Sequence, residues 1–132
     1  MKIQPYRPNF FLTPGTMSAR YGGSTHFVKW DDWKDGGRWY ECSLGEKLSC
    51  GKYHVIGHEG SEDYFYPYDL TPLGRSPSIG DEVISYWDGR DYAFKARVTD
   101  YARHKGEYCV LYLDGSEEWT PARDVHKLQR MG

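Results

Sequence analysis

Long hydrophobic runs are missing from this sequence, and so are most of the large apolar side chains that usually fill a core. Leu, Ile, Val and Phe together account for only 23 of the 132 residues. No segment approaches the roughly 18 apolar residues that a membrane-spanning helix needs. The first residues also lack the apolar stretch of a secretory signal. We therefore expect a protein without a membrane partner.

A basic excess is also absent. The 17 Lys and Arg residues stand against 19 Asp and Glu residues, which gives a formal net charge of −2. Proteins that coat nucleic acids usually carry more positive than negative charge, so the composition disfavours that class. There are three cysteines, Cys42, Cys50 and Cys109, and an odd, sparse set is typical of a reducing compartment rather than of a disulfide scaffold.

Aromatic residues and glycine are abundant instead. The chain has 12 Tyr, five Trp, five Phe and 15 Gly. Aromatic rings favour strands and glycine favours tight turns. At this length we expect one domain or two very small ones, and the composition predicts that they are all-β.

The sequence contains a duplication. Residues 59–64 (EGSEDY) match residues 114–119 (DGSEEW) at an offset of 55, and Trp33 matches Trp87 at an offset of 54. Within the second copy, alternating residues predict four strands, and Asp-Gly at 114–115 predicts a tight hairpin turn. Because a sheet this small exposes its edges unless it curls shut, we predict two small SH3-like barrels in tandem. Whether they exchange strands stays open.

The duplication divides the chain into four parts. We predict a basic N-terminal arm at 1–25, a first barrel at 26–70, a linker at 71–78 and a second barrel at 79–128. The arm carries a charge of +3, whereas the two barrels carry −4 and −3. Two acidic modules would attract a basic partner.

The order of motifs within each copy resembles a Tudor domain of the Royal superfamily. In the second copy the series runs GDEV, YWDG, YxFxAxV, YxVxYxDG and DV, and the first copy has a similar but poorer series. Residues 26–128 are thus similar to tandem Tudor modules and to plant Agenet pairs. The resemblance implies Tudor-like barrels and a nuclear chromatin reader, not an enzyme, that binds a methylated histone tail through an aromatic cage.

Such a cage works because a methylated ammonium keeps its charge but loses its strong hydration. Each ring face then attracts it by roughly 0.5–2 kcal/mol, and a nearby carboxylate adds charge attraction. Position by position, the resemblance assigns the methyl-lysine cage to five residues of the second copy: Trp87, Tyr92, Phe94, Tyr112 and Asp114.

The first copy has a less complete set. Trp33 and Tyr40 match the first two cage rings and Glu59 matches the acid, whereas Gly57 stands at the third ring position. We therefore expect the second copy to hold the working cage and the first to provide an auxiliary surface.

Each assigned residue also has a plainer interpretation. Phe94 and Tyr112 alternate with apolar residues and would equally suit the core, and Asp114 would equally suit its turn. Ser116 stands where some relatives carry a further ring, and Trp119 is the candidate to replace that wall.

Other chemistry is less well supported by the sequence. The spacing of Cys42, Cys50, His54 and His58 lacks the short C-x2-C pair of most structural zinc sites, so we expect no metal and no cofactor. No catalytic motif stands out. The dense ring patch at 64–68 is expected to join the two barrels or to form a peptide groove.

Two further functions remain open. A pair of SH3-like barrels with exposed rings would also suit nucleic acid, whose bases stack on such rings. Arg97, Arg103 and Lys105 would supply a local basic strip for it. A methylarginine reader or a protein-interaction adaptor is the other alternative.

Overall fold

The computed structural model describes residues 19–33 and 36–131, so most of the predicted basic arm lies outside the described residues. The described part consists of antiparallel strands and two 3₁₀ turns, at Pro67–Asp69 and Ala122–Asp124. In order, the strands are β1 His26–Asp31, β2 Arg38–Lys47, β3 Tyr53–Gly57, β4 Glu62–Phe65, β5 Leu70–Pro72, β6 Glu82–Tyr86, β7 Ala93–Ala102, β8 Glu107–Tyr112, β9 Glu117–Pro121 and β10 Val125–Lys127.

The two halves of the chain have the same topology. Strands β1 to β5 pair in the order β5-β1-β2-β3-β4, and strands β6 to β10 pair in the order β10-β6-β7-β8-β9. Among the described strands, the one ladder between the halves is the bridge of Trp39 in β2 to Ala93 in β7. The prediction of two small SH3-like barrels in tandem is confirmed, and each barrel is built from consecutive strands of its own half.

The apolar residues form three cores rather than two. Each barrel has its own core, centred on Val28 and Val55 in the first and on Val83 and Val110 in the second. A third core lies between the barrels and takes residues from both, namely Phe27, Trp39, Ile84, Tyr86 and Ala93. Because burial of apolar area stabilises such contacts, this shared core fixes the barrels against each other.

The ring patch at 64–68 does not make this junction, contrary to one of the two expectations for it. Tyr64, Tyr66 and Tyr68 are exposed on the first barrel, where Tyr66 stacks on Tyr68 with ring centroids 5.4 Å apart. The rings of this segment alternate along the chain, which indicates that some of them are exposed. The alternation does not indicate which surface they contact. The junction uses strands β1, β2, β6 and β7 instead.

A buried carboxylate strengthens the junction. Glu41 of β2 is fully buried, and it accepts hydrogen bonds from the backbone N–H groups of Arg20 and Tyr21, each at 2.9 Å. It also accepts one from the Tyr86 hydroxyl of the second barrel at 2.5 Å. Burial, together with the neighbouring Glu41, raises the pKa of Tyr86 well above its usual value. Glu41 therefore ties the start of the described chain and both barrels together.

Acid is expected to weaken the fold through His126. This histidine of β10 is fully buried against Phe27 of the first barrel, and its burial, with a smaller contribution from the charge of Arg20, lowers its pKa to about 4. Between that pKa and its ordinary value of 6.5, the unfolded chain binds a proton that the folded chain does not. The free energy of unfolding should therefore fall by about 2 kcal/mol between pH 7 and pH 5.

Urea unfolding at the two pH values measures this loss. His126→Leu should flatten the pH dependence, whereas His104→Leu, at an exposed turn, should keep it. An unchanged slope in the His126 variant would contradict the assignment.

Candidate ligand-binding cage

A small cavity opens on the second barrel, between the β6–β7 and β8–β9 turns. It combines ring faces with a carboxylate, and its lining consists of Gly36, Trp87, Phe94, Lys95, Tyr112, Leu113, Asp114 and Ser116. The structure thus brings four of the five predicted cage residues to one place.

The β6–β7 turn sets the position of Trp87. Asp88 and Gly89 both adopt positive φ angles, 50° and 69°, and Arg90 N donates to the Trp87 carbonyl at 3.0 Å. Two successive residues with positive φ form the tight turn that suits the twist of a hairpin. Trp87 is therefore held at the strand end, half-buried, with its ring against Phe94 at a centroid distance of 5.8 Å.

Phe94 and Tyr112 serve the core and the cavity together. Phe94 lies on β7 and packs against the core of the second barrel, to which Tyr112 of β8 belongs. The Tyr112 hydroxyl lies 3.2 Å from both Ser85 Oγ and the Tyr86 carbonyl oxygen, and burial raises its pKa to about 12. The hydroxyl is thus hydrogen-bonded inside the barrel, and the ring is the part of Tyr112 that lines the cavity. The plainer interpretation of these two residues and the cage interpretation are compatible.

The β8–β9 turn places the acid at the rim. Asp114 Oδ1 accepts hydrogen bonds from Ser116 N at 2.9 Å and from Ser116 Oγ at 2.6 Å. Gly115 between them has a φ of 90°, which a residue with a side chain rarely adopts. The acid therefore forms its turn and also borders the cavity, with Ser116 at the place of the missing ring.

Tyr92 does not line the cavity but lies behind it. Its ring contacts Phe94 edge-on at 5.4 Å and Tyr40 of the first barrel at 5.9 Å. The guanidinium of Arg38 lies 5.6 Å from its centre. Tyr92 thus supports Phe94 and contacts the first barrel from its place just before β7.

The auxiliary rings of the first barrel lie beside the cage rather than in a second one. Trp33 packs on Phe94 at 5.8 Å and on Tyr92 at 6.5 Å, and Tyr40 contacts Tyr92. A continuous band of rings therefore crosses from one barrel to the other. Matching the repeats identified these residues, but their packing across the junction needed the structure.

The first barrel's counterpart of the cage is filled by its own acid. A Cβ added at Gly57 would collide with Glu59 Oε1, so that carboxylate lies over the third ring position. Ser61 Oγ holds the other carboxylate oxygen at 3.0 Å. Nearby, His58 stacks on Tyr21 with centroids 3.8 Å apart.

Trp119 does not supply the missing wall. It lies on β9 opposite Cys109, 48% exposed and outside the lining of the cavity. Strand alternation explains the error, because Glu118 and Thr120 are less exposed than Trp119 and turn inward.

Three lining residues were missed by sequence reasoning: Gly36, Lys95 and Leu113. Lys95 follows the cage ring Phe94, and its Nζ lies 3.4 Å from Glu82 Oε2, which offsets its charge beside the cavity. Leu113 is an exposed apolar residue next to the acid. Gly36 comes from the first barrel, and no local pattern could have assigned it to a site in the second.

The residues weighed for zinc do not come together. Cys42 is buried and Cys50 is exposed, and across residues 19–33 and 36–131 no group of three or more His, Cys, Asp or Glu could hold a metal ion. In the same ranges, no helix is both long enough and apolar enough to cross a membrane.

Comparison with known proteins gives a likeness of fold. No family model and no curated protein matches the chain. Among solved structures, the crystal structure of the ADCP1 tandem Agenet domain 3-4 is similar, with a TM-score of 0.52 and 12% identity over 81% of this chain and 79% of that one. At that identity the likeness concerns architecture alone. The chain therefore shares the fold of a tandem Agenet domain, with two small Tudor-like barrels in tandem.

Proposed function

We propose that this chain is a nuclear chromatin reader module, not an enzyme, that binds methylated lysine on a histone tail. The observation that carries the proposal is the convergence of Trp87, Phe94 and Tyr112 on one open cavity with Asp114 at its rim. Ring faces and one negative charge suit an organic cation that has lost its strong hydration.

The same chemistry explains why methylation would matter. An unmodified lysine ammonium forms strong hydrogen bonds with water, and three ring faces do not replace them. A methylated ammonium loses few such bonds on entering the cage, while each ring contributes roughly 0.5–2 kcal/mol of attraction. Discrimination then comes from the difference in desolvation between the two side chains.

The charge of the barrels supports a basic peptide as the partner. Both barrels carry more acids than bases, so their field attracts a cationic tail over a distance of about one Debye length, roughly 8 Å at physiological salt. Such attraction raises the association rate and weakens with added salt.

Nucleic acid is the less favoured partner because both barrels carry more acids than bases and four of their cations are engaged in ion pairs. Four lysine and arginine side chains on strands form ion pairs of 2.6–3.7 Å with nearby carboxylates, and these are Lys29, Arg38, Lys95 and Lys127. A phosphate backbone would have to compete with those carboxylates for each of these four cations.

Calorimetric titration with histone-tail peptides tests the proposal. Each peptide is offered unmodified and with mono-, di- and trimethyllysine, and a dimethylarginine peptide and a short DNA duplex form separate arms. We expect one methylated lysine peptide to bind at least fivefold more tightly than its unmodified form. Equal affinity for both forms, or binding of DNA alone, would overturn the proposal.

The acid should set the preference among methylation states. Asp114→Asn is expected to reduce affinity for mono- and dimethyllysine peptides roughly three- to tenfold, because their ammonium groups keep an N–H that a carboxylate accepts. A trimethyllysine peptide has no such N–H and should lose less. Asp100→Asn removes the same charge from an exposed position on β7 and serves as the control. An equal loss in all three states would contradict a hydrogen-bonding role.

A further inference from the structure

One wall of the cavity comes from the other barrel. Gly36 belongs to the turn between β1 and β2 of the first barrel, yet it lines the cavity together with residues of the second. A Cβ built on Gly36 would lie 2.8 Å from Leu113 Cδ1 and 3.5 Å from Lys95 Cβ. The backbone of the first barrel thus lies directly against the mouth of the cage.

Gly36 has little free space for a side chain. Its nearest neighbour is the flexible end of Leu113, which is an exposed residue. An alanine at position 36 would therefore displace the end of Leu113. Because Leu113 lines the same cavity, any side chain at position 36 changes the space that a ligand can occupy.

Arg38, two residues after Gly36, is anchored to β1 and to rings of both barrels. Arg38 binds Asp31 Oδ2 through Nε at 2.9 Å and through Nη2 at 2.6 Å. Its guanidinium lies 5.1 Å from the centre of Trp33 and 5.6 Å from that of Tyr92. Two guanidinium N–H groups thus donate to one carboxylate oxygen, and this ion pair lies between rings of both barrels, which makes it a directional contact.

Trp33 extends the same contact to a cage ring. Its centroid lies 5.8 Å from that of Phe94 at an interplanar angle of 39°. Phe94 is thus packed by Trp87 on one side and by the first barrel on another.

We propose that the cage is shared between the barrels. Gly36 of the first barrel supplies its outer wall and sets its width, and Trp33 is a positioning residue for Phe94. This wall takes the role of the ring that Ser116 does not provide. The inference rests on the proposed function and adds that the width at Gly36 and Leu113 selects the number of methyl groups admitted.

A double-mutant cycle in the full chain tests the wall. Gly36→Ala should lower affinity for a trimethyllysine peptide about fivefold and for the monomethyl peptide less than twofold, because the larger group needs the space that Leu113 then takes. Leu113→Ala in the same chain should restore most of the trimethyl affinity. Additive effects of the two substitutions, or equal losses for both peptides, would overturn the shared wall.

The positioning role has its own matched pair of variants. Trp33 and Trp119 have similar exposure, 43% and 48%. Trp33→Ala should lower the affinity for the methylated peptide about fivefold, whereas Trp119→Ala should leave that affinity unchanged. Trp33→Phe, which keeps a ring against Phe94, should recover most of the affinity. An effect of equal size in both alanine variants, or no recovery with Phe, would contradict the role.

The outcomes separate this inference from the proposed function. In one outcome the wild type prefers methylated peptide and Trp87→Ala loses that preference, but Gly36→Ala and Trp33→Ala bind as the wild type does. That outcome would support the cage and contradict the shared wall. If the wild type itself shows no preference for methylated peptide, both proposals are wrong.

Discussion

Replacing Trp87 with alanine is expected to lower the affinity for the preferred methylated peptide at least tenfold and to remove most of its preference over the unmodified form. The ring is half-buried at a strand end, and its face is one of three that would contact the ammonium. Loss of one face removes roughly 0.5–2 kcal/mol directly, and Phe94 then loses its edge contact at 5.8 Å. Peptide titration by calorimetry measures the change.

Trp119→Ala is the control for this substitution. It removes an indole of the same barrel that lies outside the cavity, so the affinity should stay within about twofold of wild type. Amide spectra of both variants should keep the dispersion of a folded β protein. A folded Trp87 variant with wild-type affinity would contradict the cage.

Replacing Glu41 with alanine is expected to cause the largest loss of stability. The substitution removes the acceptor of the buried Tyr86 hydroxyl and of two part-buried backbone N–H groups. A buried donor left without a partner costs about 1–3 kcal/mol, and the two part-buried donors add less because water reaches them. We therefore expect the free energy of unfolding to fall by about 2–3 kcal/mol, and Tm by roughly 10 °C.

Two further variants on β2 serve as comparisons for Glu41→Ala. Glu41→Gln keeps an oxygen acceptor but adds an N–H₂ group, so it should lie between wild type and alanine. Glu46→Ala changes the same residue type at an exposed position of the strand and should shift Tm by only a degree or two. Equal thermal curves for the Glu41 and Glu46 alanine variants would contradict the buried junction.

The local structure of the second barrel could be predicted because its signals are short-range. Alternation predicted four strands in the second copy, and the structure has them as β6 to β9. Asp-Gly at 114–115 predicted a hairpin turn, and the turn forms with Gly115 in the left-handed region. Turn chemistry and alternation act within a few residues, so one sequence is enough to show them.

The junction between the barrels could not be predicted in the same way. From the sequence alone, a glutamate in a strand such as Glu41 is expected to be exposed. In the structure it accepts a hydrogen bond from Tyr86, which is 45 residues away. The ring patch at 64–68 suggested a junction, and instead its three tyrosines lie on the surface of the first barrel. Which face of a barrel meets its neighbour depends on tertiary packing, and a repeat alignment carries no information about it.

The candidate cage includes residues that the sequence could predict and one that it could not. Matching the repeats to the Tudor pattern identified Trp87, Phe94, Tyr112 and Asp114, which line one cavity. Trp119 was wrong as a wall because alternation turns it outward. Gly36 was missed because its place at the cavity depends on the first barrel.

The most direct test of the central claim is an NMR titration that follows the indole N–H signals of the five tryptophans. A dimethyllysine peptide should shift the Trp87 signal strongly and in a saturable way, and should leave Trp119 nearly unchanged. The unmodified peptide at the same concentrations should produce little change at either. Equal shifts with both peptides, or a Trp87 signal that does not move, would contradict the cage.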